Sequence, residues 1–159
     1  MVRMVVQGLT IDPRTNSPIL ILKNPEGEET LPIWIGLMEA TAIASELENV
    51  SFPRPMTHDL LRNVIDSLGF SVARVEVTEL KDNTFYALIH LEGPQGTIAV
   101  DSRPSDAIAL ALRAKAPIFV ARKVLEDAFA SPSEAGERSE DKWKEILERM
   151  DPEDFKYKM

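Results

Sequence analysis

Two short stretches of this chain place the same chemically useful side chains in the same order. Residues 54–61 read RPMTHDLL and residues 103–110 read RPSDAIAL. Each runs Arg, Pro, a hydroxyl residue, Asp and then an apolar helical pattern. A residue before proline is pushed out of the helical region, so Arg54 and Arg103 should be extended, just ahead of a helix. Thr57 is placed to cap the first helix and Ser102 or Ser105 the second, while Pro104 suits a first helical turn. Asp59 and Asp106 then fall in first turns. A helix start carries unsatisfied N–H groups and about half a positive charge, which attract anions. An arginine beside it adds a bidentate clamp for phosphate or carboxylate.

The same segments carry acid–base groups. His58 stands at a helix start, where the dipole disfavours its protonated form and suits it to act as a neutral base or metal ligand. Glu39 comes early in the apolar run WIGLMEATAIA, close to Gly36. Asp59, Asp101 and Asp106, with His58, offer the donors that Mg²⁺ or Mn²⁺ uses when it bridges phosphates. A plain structural alternative stands beside each of these readings. First-turn Asp and Glu are favoured by the helix dipole in any protein. Arg54 and Arg103 can also pair with Asp59, Asp101 or Asp106 and lock helices to a sheet. His90 shares a strand face with Tyr86 and Leu88 and reads as a packed histidine. The chain contains no GxxxxGK[ST], GxGxxG, HExxH or GxSxG. Nucleotide-loop, dinucleotide, zincin and α/β-hydrolase chemistries lose their usual support.

These side chains need a scaffold, and the pattern supplies one of mixed α and β type. Residues 2–11, 18–23 and 30–35 read as strands, with NPEGEE (24–29) as a hairpin turn. Residues 37–50 carry a helical apolar repeat, with Leu37, Ile43, Ala44, Leu47 and Val50 as expected buried positions. Residues 58–69 form a second helix with the stripe Leu60, Leu61, Val64, Ile65 and Leu68, ended by Gly69. Strands follow at 71–80, 84–91 and 96–100, then a nearly all-apolar helix at 104–116 that should be buried. A strand at 117–121 and a short helix at 124–129 complete the body. Strands in runs, broken by helices, predict an α+β fold with a mixed, largely antiparallel sheet and helices packed on it. Residues 1–130 form the domain. Residues 131–141, SPSEAGERSED, read as a linker. Residues 142–159 hold an amphipathic helix with Trp143, Ile146, Leu147 and Met150 on one face, stopped by Pro152.

Composition narrows the class. The 159 residues suit one domain, and 44% hydrophobic content gives it a real core. Without Cys, disulfides, thiolate metal sites and cysteine nucleophiles are excluded. No window approaches a membrane span and no leader opens the chain, so a cytoplasmic setting without a membrane partner is expected. The net charge of −8 argues against broad adhesion to nucleic acid, but a local basic site is compatible with it.

The runs IWIGLMEATAIA (33–44), RPMTHDLL, FYALIHL (85–91), VDSRPSDAIALALR (100–113) and PIFVA resemble the bifunctional nuclease domain family. The resemblance covers residues 1–130 in order. It implies a mixed-sheet α+β homodimer that cleaves DNA and RNA. It marks Glu39, Arg54, Thr57, His58, Asp59, Asp101, Ser102, Arg103, Ser105 and Asp106 as motif positions. On that reading Arg54, Thr57, Ser102, Arg103 and Ser105 hold phosphate. Asp59, Asp101 and Asp106 bind a divalent ion, His58 or Glu39 acts as base, and Arg62, Arg113, Arg122 and Lys123 extend a backbone track. The alternative is a non-catalytic module that uses the same arginine and helix-start devices to hold a small anion or a partner.

Overall fold

The computed structural model describes residues 1–129. The linker and tail helix expected at 131–141 and 142–159 lie outside the described residues.

Among the described residues, seven strands and four helices form in the expected order. Three strands come first: β1 (Val2–Ile11), β2 (Pro18–Lys23) and β3 (Thr30–Trp34). Two helices follow, α1 (Leu37–Leu47) and α2 (Thr57–Ser67), then β4 (Ser71–Lys81), β5 (Thr84–Gly93) and β6 (Gly96–Ser102). The remaining elements are α3 (Pro104–Ala114), β7 (Ile118–Val120) and α4 (Arg122–Phe129). Local chemistry sets the turns. Asn24 Oδ1 accepts the Glu26 N–H at 2.9 Å in the β2–β3 turn. Asp82 and Asn83, both with positive φ (52° and 61°), close the β4–β5 hairpin, as a two-residue turn with matching twist requires.

The strands lie in the order β3-β2-β1-β7-β4-β5-β6. Every neighbouring pair is antiparallel except β7 with β4. The three-residue β7 joins two local meanders, with Val120 opposite Val2 on one side and Ile118 opposite Val75 on the other. α3 packs on β4 and β5, and α1 and α2 pack on α3. Ile108 and Leu110 are fully buried at the centre of the core. The small Ala107, Ala109 and Ala111 beside them are buried too, and let neighbouring helices approach closely.

Three expectations are corrected. Of the α2 stripe, only Ile65 is buried, and Leu60, Val64 and Leu68 are 55%, 47% and 69% exposed. The helix sits at the rim of the helical layer, so a stripe as wide as this overfills its contact with α3. Leu37 and Val50 likewise face water, beyond the packed middle of α1. Gly69, by contrast, follows α2 at φ +84°, as a helix-ending glycine does. Gly69→Ala should therefore lower stability by about 1 kcal/mol in thermal unfolding, because L residues resist that conformation. Gly8→Ala, at a site with open space around the added Cβ, should leave the melting temperature unchanged.

Candidate active site

The site begins with a buried cation. Arg113, in the last turn of α3, has a side chain only 3% exposed. Its Nε donates to Asp59 Oδ1 at 2.8 Å, one Nη to the Ala109 carbonyl at 2.9 Å and the other to the Ala42 carbonyl at 2.9 Å. Ser45 Oγ lies 3.4 Å from that last nitrogen. One guanidinium thus ties α3 to the start of α2 and to the middle of α1. The second Asp59 oxygen accepts the Met56 N–H at 3.0 Å. Met56 is the residue ahead of the first helical turn and Thr57 the first helical residue. Asp59 therefore satisfies the helix start in place of the expected Thr57, which is exposed.

That lock sets the starts of α2 and α3 side by side. Arg103 stands extended ahead of α3 (φ −73°, ψ 146°), followed by Pro104, as pre-proline geometry demands. Neither expected serine caps this helix: Ser102 Oγ donates to the Arg103 carbonyl at 2.8 Å, and Ser105 is buried. Arg103 Nε donates to Asp106 Oδ2 at 2.9 Å and one Nη to Glu39 Oε1 at 2.6 Å. Asp106 Oδ1 lies 2.9 Å from His58 Nε2. The result is a continuous polar chain, Glu39–Arg103–Asp106–His58, across three helices. Arg103 remains 63% exposed, whereas His58 is only 12% exposed. Gly36 makes room for the first member, since a Cβ there would sit 2.5 Å from Glu39 Oε2.

Beside this chain opens a groove of about 340 Å³, bordered by Phe52, Arg54, Asp59, Arg62, Asn63 and Arg113 among others. Arg54 is exposed and has no hydrogen-bond or ion-pair partner among the described residues. Arg62 is partly engaged, with the Arg113 carbonyl at 3.4 Å and Asn63 Oδ1 at 3.2 Å. The structure thus gathers Glu39, His58, Arg103 and Asp106, and next to them Arg54, Asp59 and Arg62. It does not bring in Asp101. The register pairs Asp101 with Leu88, and the next residue, Ser102, with the buried Ala87. Strand alternation therefore turns Asp101 to the sheet face away from α3. His90 shares that outer face, with its Nε2 3.1 Å from Glu76 Oε1, apart from the site.

Comparison with known proteins gives this arrangement a family. Residues 20–133 match the model of the bifunctional nuclease domain. The chain belongs to the bifunctional nuclease domain family. An uncharacterized protein of Mycobacterium tuberculosis is 41% identical over 160 residues, covering 95% of this chain and 96% of its own. Bifunctional nuclease 1 of Oryza sativa subsp. japonica is 30% identical over 109 residues, 66% of this chain and 33% of its own. Bifunctional nuclease 1 of Arabidopsis thaliana is 31% identical over 107 residues, 65% of this chain and 33% of its own. The chain thus aligns with about a third of the length of these plant relatives. All ten motif residues of the bifunctional nuclease resemblance fall inside the matched segment.

The charges in this family member are arranged for mutual neutralisation. Burial pushes the Asp106 carboxyl up, but the hydrogen bonds from His58 and Arg103 outweigh it and hold it below the usual range. Burial acts on Asp59 in the same direction and is outweighed by the Met56 N–H and Arg113. Asp106 and then Glu39 raise Arg103 above its ordinary value. Asp59, Asp101 and Asp106 do not form a ligand set. The first and last are held by arginines, the middle one faces elsewhere, and no trio of His, Asp or Glu suited to a metal occurs among the described residues. The expected backbone track is also interrupted, because Arg113 is buried, Arg122 pairs with Glu29 and Lys123 lies 3.5 Å from Asp127. Sequence reasoning missed Arg113 as the lock. The available signal was a lone charge in the apolar run AIALALRA.

Arg113→Ala should destabilise the domain by about 3 kcal/mol in urea unfolding, because it strands Asp59 and two carbonyls. Both Asp59 and Asp106 have carboxyls depressed in the folded state. The stability they contribute is present above the unfolded carboxylate pKa and is lost as pH falls through the lower folded one. The urea midpoint should therefore drop between about pH 5 and about pH 3, and less steeply in Asp59→Asn.

Proposed function

We propose that this chain hydrolyses phosphodiester bonds of DNA and RNA, with His58 as the general base. The observation that carries the reading is the His58–Asp106 contact held in place by Arg103 and Glu39. With the Nε2 proton directed at Asp106 Oδ1, the imidazole lone pair falls on Nδ1, which has no partner among the described residues. A base oriented by a carboxylate that is itself fixed by an arginine is the geometry that activates water for attack at phosphorus. Arg54 is the free guanidinium available to a phosphate, and the exposed edge of Arg103 is a second. The family match and the plant relatives named bifunctional nucleases support the same reaction class. No step is assigned to Mg²⁺ or Mn²⁺, because the carboxylates that would hold it are engaged with arginines.

The reading extends to assembly. A Cβ on Gly69 would lie 3.9 Å from Pro94 Cδ, which brings the end of α2 to the β5–β6 turn. The other end of α2 meets the start of α3 through His58 and Asp106. The two ends of α2 thus lie toward the two ends of the edge strand β6. Leu60, Val64 and Leu68 on this helix and Ile98 and Val100 on the edge strand are all exposed. This apolar face supports a homodimer.

Two observations favour a second reading, a non-catalytic module that holds a small anion. Arg103 is already matched by two carboxylates, and the whole chain carries −8. Salt separates the two, since a nucleic-acid binder weakens steeply with it. Purified protein should cleave labelled single- and double-stranded DNA and RNA, with Mg²⁺ and with EDTA as parallel arms. His58→Ala and Asp106→Asn should each slow cleavage about 100-fold or more while the fold stays intact by circular dichroism. Equal activity in wild type and both variants would mean a contaminating nuclease. Leu60→Glu with Val64→Glu should shift the sedimentation of the protein from dimer to monomer.

A further inference from the structure

We propose that the loop at 51–55 is a base-stacking subsite for unpaired nucleotides, with Phe52 as the platform and Arg54 as the phosphate contact. This rests on the nuclease reading above and adds the form of the substrate. The loop sequence is SFPRP. Phe52 and Arg54 each precede a proline, so both are confined to extended backbone, and the prolines fix φ on either side. Two side chains displayed on so stiff a segment lose little conformational entropy when a ligand arrives.

Three observations converge on this loop. Phe52 is 42% exposed and borders the groove, although an aromatic ring gains by leaving water. Arg54 is the guanidinium of the groove without an internal partner, whereas Arg113 and Arg62 are engaged. The groove also reaches Asp59, the residue next to His58 in the chain, so Phe52 and Arg54 share a groove with the start of α2. Stacking on one ring suits an acidic protein. It draws affinity from a base face rather than from a long basic track. An exposed ring stacks on a base that is free of a partner strand, so the subsite favours single-stranded over paired substrate, DNA or RNA.

Binding of fluorescein-labelled oligonucleotides by anisotropy tests this, using the full chain with His58→Ala to keep the strand whole. Adding Phe52→Ala should raise Kd for a single-stranded oligonucleotide about tenfold or more, with an unchanged salt slope. Phe52→Trp should restore the affinity, and an abasic strand should not distinguish the variants. Arg54→Ala should instead reduce the salt slope by about one phosphate contact. Equal melting temperatures establish that all variants are folded. If the strand binds equally with and without the Phe52 ring, the subsite is overturned while the nuclease reading stands. If the parent binds no strand at low salt, both fall together. A duplex bound as tightly as the single strand would overturn the subsite alone.

Discussion

A guanidinium taken out of water must have its donors matched, and at Arg113 that requirement dictates how three helices meet. Its partners are a carboxylate on α2, a carbonyl on α1 and a carbonyl one turn earlier on α3. A helix layer held only by apolar contacts could slide by fractions of a turn, since Ala and Leu surfaces tolerate repacking. Directed hydrogen bonds do not tolerate it. The consequence lies one residue away: fixing Asp59 fixes the azimuth of α2 and hence the aim of His58. The polar chain from Glu39 to His58 therefore inherits its geometry from the contact between Arg113 and Asp59.

Much of this was legible in the sequence because it is local. Strand and helix positions followed from alternation and 3.6-residue repeats, and the extended arginine before each proline followed from sterics. The meeting of Arg103 with Asp106 is an i,i+3 relation within one helix start, and it too could be read. What could not be read is long-range. Whether Asp59 serves an ion, a phosphate or Arg113 depends on which residue 54 positions later packs against it. Asp101 looked like part of the constellation because it is close in sequence, yet strand alternation turns it to the other side. The stripe of α2 resembles a core-facing helix in every local respect, and only the position of that helix at the rim leaves it in water.

The two matching segments have divided their roles. In the first, the carboxylate is structural: Asp59 closes a helix start and neutralises a buried arginine. In the second, the carboxylate is the hub of the exposed chain: Asp106 holds Arg103 with one oxygen and His58 with the other. Arg54, the groove guanidinium without a partner among the described residues, belongs to the first segment. The proposed site draws on both halves, each contributing what the other has committed elsewhere. Much of the basic charge near the site is engaged internally, so an acidic chain can carry a compact place for an anion without a basic face.

The placement of β7 has a bearing on how the molecule comes to be made. Three residues near position 120 must arrive before the first strand acquires its second neighbour, and before the meander of β4, β5 and β6 is joined to the one that precedes it. During synthesis on the ribosome, each hairpin set can zip as it emerges. Both nevertheless leave an open backbone edge, at β1 and at β4, until nearly the whole described chain is out of the exit tunnel. Closing the sheet is thus a late, long-range event, and a nascent chain stalled earlier would present two sticky borders at once.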